Sequence, residues 1–426
     1  MKKVLIISYY FPPIGGVGSI RIVKFVKYLS NFGWQPIVLT VDSKDDYYID
    51  GSLLEEIPDV KIYRTKLLPF IHDIFKRKKE VLKEKKEVIK EPKGIRKFLG
   101  EHLYIPDNKI RWYPYAVKKG IEIIKNENID IIFTSGAPFS VHLIGLKLKK
   151  ITKKPWVVDF RDPWIGHPYL DYPSFISKWI QIKLEKNVIK RADKVISATQ
   201  PITENFIKRY NKLPKEKFIT ITNGYDKDDF KGITIQKNIN KKEIIITYLG
   251  SIYNAHPIKD FLLALKKCQE EDANLSSKLK IRIVGLVDDV NKNYINEIGL
   301  NALIEIIPWQ PHKESLKYLF EGDVLLLLLA YGKGSDMFYT GKIFEYLMAK
   351  KPILALIPEG ILSNLIKELN VGFVISPEDV NIIYRFIIDL INNKINLNIN
   401  FNEDRIKQFE RKELTKKLAD IFQEIV

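Results

Sequence analysis

Short apolar segments recur along the whole chain, and each is followed by a stretch with helical periodicity. Apolar runs of about four to eight residues are typical of buried strands, whereas apolar residues at every third or fourth position indicate amphipathic helices. Strands that alternate with helices favour parallel sheets covered by helices on both faces. The pattern predicts seven strands in the first half of the chain, at residues 4–10, 37–41, 61–64, 129–134, 156–160, 194–198 and 218–221.

A second series of strands follows the turn dipeptide at 223–224 and the polar segment 226–242, which we interpret as a linker. Its strands are predicted at residues 244–249, 280–284, 304–307, 324–329, 353–356 and 372–375. The predicted fold class is therefore α/β, with two tandem Rossmann-like, doubly wound parallel-sheet domains at 1–225 and 243–405. Ligands of such sheets bind at the carboxyl ends of the strands, so we expect the site in an interdomain cleft.

Composition excludes several classes of protein. Hydrophobic residues make up 46% of the chain and charged residues 28%, as in ordinary globular proteins. The single cysteine, Cys268, excludes a disulfide framework or a zinc site of several thiolates and fits a cytoplasmic protein. The six histidines show no ligand spacing, so no metal is expected. No apolar run approaches the ~20 residues of a membrane-spanning helix.

The chain is strongly basic, with 69 Lys and Arg against 52 Asp and Glu and a net charge of +17. Such a surface attracts phosphate groups, acidic lipids or nucleic acid. No nucleic-acid recognition motif is present, so we expect no nucleic-acid partner. A basic insertion at about 70–110 contains the segment 76–97, with eleven Lys or Arg and four Glu. Two interpretations stay open: a solvated helix with Lys–Glu pairs, or an anchor on an anionic membrane at ~1 kcal/mol per basic residue.

The loop after the first predicted strand contains Gly15 and Gly16 and leads into a helix. Glycines there would let backbone N–H groups approach a phosphate at the helix N-terminus. The alternative is a flexible turn without a ligand. The glycine spacing is not that of the dinucleotide-binding fingerprint, which disfavours a dehydrogenase.

A second candidate segment runs from 336 to 347, between two predicted strands of the second domain. A helix is predicted to begin near Thr340 or Gly341, and its free N–H groups together with Lys342 would present positive potential to a diphosphate. Glu345, one turn later, would accept hydrogen bonds from a ribose diol. In the alternative interpretation Lys342 and Glu345 simply pair on an amphipathic helix.

Several of these segments together resemble glycosyltransferases of the GT-B fold, specifically glycosyltransferase family 4. The resemblance covers nearly the full length. The resemblance rests on the following segments: 8–13 with Gly15 and Gly16, 157–164, 221–226, 248–251, and 340–347 with 351–353. In that fold the last helix, within 406–426, crosses back to the first domain.

The resemblance implies that Glu345 contacts the ribose of a nucleotide-sugar donor. The first acid of the family's donor-site pair is missing, because Met337 stands at its position with Asp336 beside it. Ser251, after Gly250, stands where Arg is common, Lys259 would keep the role of a diphosphate-binding Lys, and Lys342 would compensate for the lost cation. The implied donor-binding residues are Gly15, Gly16, Gly250, Ser251, Lys259, Asp336, Thr340, Gly341 and Glu345.

The implied reaction retains the anomeric configuration and needs no metal or other cofactor. Lys342 would stabilise the leaving group, and Asp162, with Arg161 nearby, would orient the acceptor hydroxyl. Alternatively, Asp159, Arg161 and Asp162 form a structural ion-pair network. The expected donor is a UDP-sugar rather than a GDP-sugar. The expected acceptor is a glycan, lipid-linked through a polyprenyl diphosphate, in surface polysaccharide synthesis at the inner face of the plasma membrane.

Two other functions stay open at this point. A sugar-nucleotide epimerase would share the twin-domain fold, and it would act on the donor without an acceptor. A non-catalytic sugar-nucleotide-binding descendant is the other alternative, because the first acid of the donor site is absent.

Overall fold

The computed structural model describes residues 1–42, 50–69, 104–167, 172–233, 243–253, 258–329, 332 and 334–426. The chain forms two compact units. The N-terminal unit comprises residues 1–222 together with 415–426, and the C-terminal unit comprises residues 223–414. The basic segment 76–97, for which two interpretations are open, lies outside the described residues.

The N-terminal unit is built on a parallel sheet. Its strands are β1 (Lys2–Ser8), β2 (Trp34–Val41), β3 (Ile62–Thr65), β4 (Ile131–Gly136), β5 (Trp156–Phe160), β6 (Lys194–Ser197) and β7 (Phe218–Thr220). They are arranged in the order β3-β2-β1-β4-β5-β6-β7, and every pairing is parallel. The helices are α1 (Val17–Leu29), α2 (Ser52–Glu55), α3 (Tyr113–Asn126), α4 (Ser140–Thr152), α5 (Phe175–Arg191) and α6 (Gln200–Arg209).

The C-terminal unit repeats this plan with six strands. They are β8 (Ile244–Leu249), β9 (Leu279–Val284), β10 (Ile304–Ile307), β11 (Val324–Leu328), β12 (Ile353–Leu356) and β13 (Gly372–Ile375). Their order is β10-β9-β8-β11-β12-β13, again with parallel pairing throughout. The helices are α7 (Ile258–Glu271), α8 (Leu275–Lys278), α9 (Asp289–Glu297), α10 (His312–Glu321), α11 (Lys342–Ala349), α12 (Ile361–Leu369), α13 (Val380–Ile391), α14 (Glu403–Lys407) and α15 (Arg411–Ile425).

Helices cover both faces of the C-terminal sheet, because successive strand residues point to opposite sides. Tyr248 of β8 packs in one apolar cluster with Phe261 of α7 and Ile383 of α13. The next residue, Leu249, packs in a second cluster with Ile343 of α11. Strands that are buried on both faces appear in the sequence as continuous apolar runs, and these runs predict the strands.

The last helix, α15, is divided between the two units: residues 411–414 belong to the C-terminal unit. Its residues from 415 onward are part of the N-terminal unit. There Phe422 of α15 packs edge-on against Trp34 and Phe133, with ring centroids 5.3 and 5.7 Å away. The last residues of the chain therefore pack in the core of the N-terminal unit.

The predicted fold class is confirmed, since the described residues form two doubly wound parallel sheets of seven and six strands. The ends of some strands differ from the prediction. The first strand was predicted at 4–10 but ends at Ser8, where its pairing with Ser135 of β4 stops. Tyr9 continues the apolar run and is fully buried, although it follows the strand. None of the described helices combines the length and the apolar character that crossing a bilayer requires.

A buried ion pair ties α1 to the sheet of the N-terminal unit. Arg21 and Asp159 are both fully buried, and the guanidinium donates from Nε at 3.0 Å and from Nη2 at 2.8 Å to the two carboxylate oxygens. Ser135 donates a further bond of 2.7 Å to Asp159. Arg21 also donates to the carbonyls of Ile221 and Thr222 at 2.9 and 2.8 Å. The pair thus connects α1, β4, β5 and the chain after β7.

Removal of one member of this pair should destabilise the protein strongly, because the other charge would stay buried without its partner. We expect Arg21→Met to lower the free energy of unfolding by ~3–5 kcal/mol in urea denaturation. Lys118→Met, a control on the exposed face of α3, should change it little. The double variant Arg21→Met/Asp159→Leu should be more stable than the sum of the two single changes predicts. If the stability changes of the two single variants simply add up in the double variant, Arg21 and Asp159 do not stabilise each other as described.

Candidate active site

The C-terminal sheet has its switch point between β8 and β11, because β9 and β10 lie on one side and β12 and β13 on the other. Ligands of doubly wound sheets bind at the carboxyl ends of the strands beside such a point. Two segments come together there. They are the residues directly after β8, Gly250 and Ser251, and the first turn of α11, which follows β11 in the sequence.

Tyr346 fixes the position of α11 against these strands. Its hydroxyl accepts a hydrogen bond of 3.1 Å from the backbone N–H of Leu249, the last residue of β8. The same hydroxyl donates a 3.1 Å bond to the carbonyl of Leu326 in β11. The Tyr346 side chain is fully buried. Because these two bonds hold α11 from its interior face, its first turn lies at the ends of the two central strands.

Lys342 is the first residue of α11 and lies directly beside β8. Its ammonium donates a 2.7 Å hydrogen bond to the hydroxyl of Tyr248 and lies 4.2 Å from the centroid of that ring. Burial lowers the pKa of Lys342 to about 8, against the opposing effect of the Glu345 carboxylate. Among the described residues no carboxylate forms an ion pair with Lys342. The site therefore contains a desolvated cation whose close partner is a neutral phenol.

Gly250 leaves the room that the Lys342 side chain occupies. A methyl group at Gly250 would overlap the end of that side chain, 2.5 Å from Cε. Gly250 has φ of +144°, a backbone conformation that side chains disfavour. Gly285, after β9, packs as closely, since a methyl group there would lie 2.5 Å from the carbonyl oxygen of Gly250 and 3.1 Å from the backbone nitrogen of Ser251. Gly250, predicted as a donor-binding residue, thus lies directly against the end of the Lys342 side chain, and the predicted Ser251 follows it beside Gly285.

Glu345 lies one turn further along α11 and has a histidine as its partner. Glu345 Oε1 and His312 Nε2 are 2.8 Å apart, and His312 is the first residue of α10. Both side chains are mostly buried, with 20% and 13% exposed. Lys342 and Glu345 bind Tyr248 and His312 respectively, so the alternative in which they simply pair with each other is wrong.

The turn before α11 also contains predicted site residues. Thr340 has a buried hydroxyl that makes no hydrogen bond to any described residue. Gly341 caps the helix in ordinary right-handed geometry, with φ of −58°. The helix therefore begins one or two residues later than predicted, at Lys342. A polar group that lies buried without a partner is costly, and a bound ligand is one way to satisfy it.

Asp336 and Lys259 lie apart from this group. Asp336 is exposed in the short 3-10 helix Ser335–Met337, and its backbone packs against Gly360 at the start of α12. Lys259 is exposed on the first turn of α7, with its ammonium 5.9 Å from the ring centroid of Tyr294. No described contact brings either side chain to Lys342.

A second candidate region lies at the carboxyl ends of β1, β4 and β5 in the N-terminal unit. Gly16, with φ of +94°, caps α1, and its carbonyl accepts the N–H groups of Ser19 and Ile20 at 2.9 and 3.1 Å. No heavy atom of the described residues lies within 4 Å of the position that a Gly16 side chain would take. Gly15 precedes it, and its carbonyl accepts a weak 3.4 Å bond from the Ser19 hydroxyl. Among the described residues, the start of α1 is therefore open beside Gly16.

Arg161 follows β5 and reaches the start of α1. Its guanidinium lies against Gly18, where a side chain would overlap it, and donates from Nη2 to the carbonyl of Ala137. It also lies 5.9 Å from the ring centroid of Tyr10. Nη1 is buried and makes no hydrogen bond to any described residue. Burial lowers the pKa of Arg161, and the nearby carboxylates of Asp162 and Asp159 oppose this effect.

His142, on α4, is a second buried polar group in this region. Its Nδ1 lies 3.1 Å from the hydroxyl of Thr134, while Nε2 makes no hydrogen bond to a described residue. A methyl group at Gly136 would lie 2.9 Å from that Nε2. Burial lowers the pKa of His142 to about 3, so the ring is neutral at pH 7.

The predicted trio of Asp159, Arg161 and Asp162 is divided in the structure. Asp159 binds Arg21 and Ser135, as described above, whereas Arg161 binds the carbonyl of Ala137. Asp162 is half-buried directly after Arg161. Asp159 therefore has a structural partner of its own, and Asp162 is the acid of the trio that stays partly accessible.

Three side chains of these regions had no predicted role. Tyr248 belongs to the segment 248–251, one of those on which the family resemblance rests. Its position one residue before the predicted end of a strand was the only feature of the sequence that placed it near the site. His312 lies 33 residues from Glu345 and His142 is buried. Neither histidine stands in a motif, so sequence spacing alone does not identify them.

The two units match two family models. Residues 14–229 match the model "Glycosyltransferase Family 4", which covers half of the chain, and residues 229–408 match "Glycosyl transferases group 1". The chain therefore belongs to glycosyltransferase family 4 and is a glycosyltransferase of the GT-B fold. No curated protein sequence matches it significantly.

Solved structures agree with this fold. Sucrose-phosphate synthase from Thermosynechococcus elongatus is 15% identical with a TM-score of 0.64, covering 100% of this chain and 99% of that one. The lipopolysaccharide outer core galactosyltransferase WaaB is 14% identical with a TM-score of 0.58, covering 99% of each chain. UDP-GlcNAc 2-epimerase from Methanocaldococcus jannaschii is 13% identical with a TM-score of 0.58, covering 100% of each. At these identities the likeness concerns the fold alone.

The amine of Lys342 should titrate near pH 8 in the protein without ligands. Competitive labelling with acetic anhydride, followed by mass spectrometry of its peptide, should reach half-maximum near that pH. Tyr248→Phe removes the phenol that accepts a hydrogen bond from the charged amine, so it should lower the pKa of Lys342 further. A pKa near the ordinary value of ~10.4 in the wild type would contradict this description of the site.

Proposed function

We propose that this glycosyltransferase takes its sugar from a nucleotide-sugar donor, which the C-terminal unit binds through its diphosphate and ribose. The observation that carries the proposal is the half-buried ammonium of Lys342 at the end of β8, whose close hydrogen-bond partner is the neutral hydroxyl of Tyr248 and whose pKa is lowered by desolvation. A desolvated cation at the end of a central strand is stabilised when an anion binds beside it. A diphosphate supplies that anion and restores the pKa of Lys342 upward.

The first turn of α11 adds to the attraction for an anion. Its free backbone N–H groups and the helix dipole favour negative charge by ~0.3–2 kcal/mol. The Thr340 hydroxyl, which has no partner among the described residues, offers a further donor. Transfer gathers charge on the departing nucleoside diphosphate, so donors that are already in place stabilise the transition state more than the ground state. Lys342 is therefore the proposed stabiliser of the leaving group.

Glu345 is the proposed ligand of the ribose. Its Oε1 lies 2.8 Å from His312 Nε2. The other carboxylate oxygen would then accept hydrogen bonds from a sugar diol. His312 would hold the carboxylate in position for this contact. The missing first acid at Met337 and the exposed position of Asp336 leave the recognition of the donor sugar to other groups.

The N-terminal unit is proposed to bind the acceptor. Arg161 Nη1 and His142 Nε2 are two buried polar atoms without partners among the described residues, and both lie at the carboxyl ends of the strands. Asp162, partly accessible beside Arg161, would orient the acceptor hydroxyl for attack. Gly16, beside whose side-chain position no described residue lies, and the adjacent Gly15 would let a phosphate or a sugar approach the start of α1.

The finer parts of the proposal come from the family resemblance. They are transfer with retention, without a metal or other cofactor, from a UDP-sugar rather than a GDP-sugar. The proposed acceptor is a glycan carried on a polyprenyl diphosphate at the inner face of the plasma membrane, in surface polysaccharide synthesis. Lys342 and the N–H groups of α11 would supply at the leaving group the positive charge that a metal supplies in other transferases.

Lys342→Met should lower the affinity for UDP by about 10- to 100-fold, because a charge-assisted hydrogen bond contributes ~1.5–3 kcal/mol. Titration calorimetry with UDP and GDP measures this directly. Lys350→Met is the matched control, since Lys350 is the exposed C-terminal cap of the same helix and binds Glu403. Equal loss in both variants would attribute the effect to net charge alone.

The pH dependence provides a second readout of the same contact. Because Lys342 is protonated below about pH 8 in the free protein, UDP affinity should fall as the pH rises above 8. Proton uptake on binding should appear there as well, as a difference between buffers of unlike ionisation enthalpy. Both effects should vanish in Lys342→Met. Unchanged UDP affinity in Lys342→Met and in Glu345→Ala together would refute the proposed donor site.

Asp162→Asn should separate acceptor chemistry from donor binding. We expect the rate of transfer to a lipid-linked glycan to fall by about 10²- to 10⁴-fold, the usual contribution of a positioned acid or base. Affinity for UDP should stay within a factor of about two. Glu204→Gln, which changes an exposed acid of α6, is the control. Full transfer activity in Asp162→Asn would remove that residue from the proposed mechanism, and turnover of the donor without an acceptor would favour an epimerase.

A further inference from the structure

Helix α5 turns an apolar face outward. Four large apolar side chains lie exposed in its first half: Phe175 is 83% exposed, Ile176 67%, Trp179 49% and Ile182 39%. Their spacing of one, three and three residues places them on one side of the helix. Exposed apolar residues scattered over a surface are ordinary, but a group on a single helix indicates an interaction site.

Polar bonds fix this orientation of the helix. Gln181 and Glu185 are buried on the inner side, although their residue types usually face water. Trp164 donates from its indole nitrogen to Gln181 at 2.9 Å. Glu185 accepts bonds from Tyr210 at 2.5 Å and from the backbone of Ile165 at 2.9 Å, and it pairs with Arg209. Because rotation of α5 would break these bonds, its apolar side stays outside.

The outer face of α5 is strongly basic, and residues 175–191 include no exposed acid. The exposed cations of α5 are Lys178, Lys183, Lys186, Lys190 and Arg191. None of them forms an ion pair with a described residue, and Glu185, the one acid of this helix, is buried. The ammonium of Lys183 lies 3.4 Å from the ring centroid of Trp179. Apolar and cationic groups are thus combined on one surface.

We propose that this outer face of α5, residues 175–191, docks on an anionic lipid bilayer. Phe175, Ile176 and Trp179 would enter the boundary between headgroups and acyl chains, where aromatic residues are favoured. The lysines that follow would lie among the anionic headgroups. The apolar side chains distinguish this partner from nucleic acid, which charge alone would attract. The proposal is independent of the donor site, and it concerns a surface other than the basic segment 76–97.

Vesicle flotation tests the proposal with the full-length protein. Vesicles of equal parts phosphatidylglycerol and phosphatidylcholine should carry the wild type at low salt, whereas phosphatidylcholine alone should not. At about 0.5 M salt binding should weaken, because exposed charges are then screened. Absence of the wild type from the anionic vesicles at low salt would overturn the proposal.

Two α5 variants separate the apolar and the charged contributions. Phe175→Ser/Ile176→Ser/Trp179→Ser and Lys183→Glu/Lys186→Glu/Lys190→Glu should each weaken vesicle binding by roughly tenfold or more. The matched controls, with exposed residues of other helices, are Ile151→Ser/Ile382→Ser and Lys118→Glu/Lys412→Glu/Lys417→Glu. If both α5 variants float as the wild type does, the proposal is wrong. It is equally wrong if the charge variant loses binding to single-stranded RNA while binding to vesicles persists.

Trp179 gives a measurement that does not depend on a multiple variant. Brominated anionic lipids should quench part of the tryptophan fluorescence of the wild type, and Trp179→Phe should lose that part. Equal quenching in both proteins would exclude insertion of this helix. UDP affinity, measured in parallel, should be unchanged in all α5 variants. An α5 variant that keeps UDP binding but leaves the membrane supports this proposal, whereas failure of the wild type to bind UDP concerns the donor site alone.

Discussion

Parallel pairing of every strand constrains where chemistry can occur in this protein. In each sheet all strands end at the same edge, so residues distant in the sequence are collected there. In the C-terminal unit this edge brings Lys342 to Tyr248 across 94 residues of chain. In the N-terminal unit it brings Arg161 to Gly18 at the start of α1. The two candidate regions are thus consequences of the topology before they are consequences of particular side chains.

The half-buried amine of Lys342 works against the stability of the protein. Desolvation of an ammonium is unfavourable, and the phenol of Tyr248 compensates for it only in part, as the lowered pKa of Lys342 indicates. The bonds of Tyr346 to β8 and β11 keep the helix in place despite this cost. Sites that retain an unfavourable charge of this kind are more often functional than structural.

The sequence predicted the sheets better than the sites, for a physical reason. Central parallel strands are buried on both faces, so each strand appears as an apolar run that needs no knowledge of its neighbours. The partners of charged residues depend on the tertiary fold. Arg21 and Lys24 lie in a helix whose apolar spacing was clear, yet both are fully buried. Likewise nothing in the sequence joined Glu345 to His312, whereas the role proposed for Lys342 could be predicted from its place at a helix start.

Apolar periodicity usually locates the side of a helix that faces the core, but in the first half of α5 the apolar side chains face outward. The free energy of burying Glu185 explains this orientation. Glu185 has several hydrogen-bonding partners in the interior, among them Arg209 and Tyr210, so its burial is compensated in this one orientation. In that orientation the apolar side chains of the first half of α5, such as Phe175 and Trp179, face outward, whereas Val188 and Ile189 in its second half are buried. A protein with a net charge of +17 can use positive charge in two ways. In the proposed donor site the amine of Lys342 would discriminate between ligands, because the attraction of a desolvated charge depends on close contact. In the proposed membrane contact the hydrated lysines of α5 would attract an anionic surface, and the adjacent apolar groups would make that attraction specific for lipid.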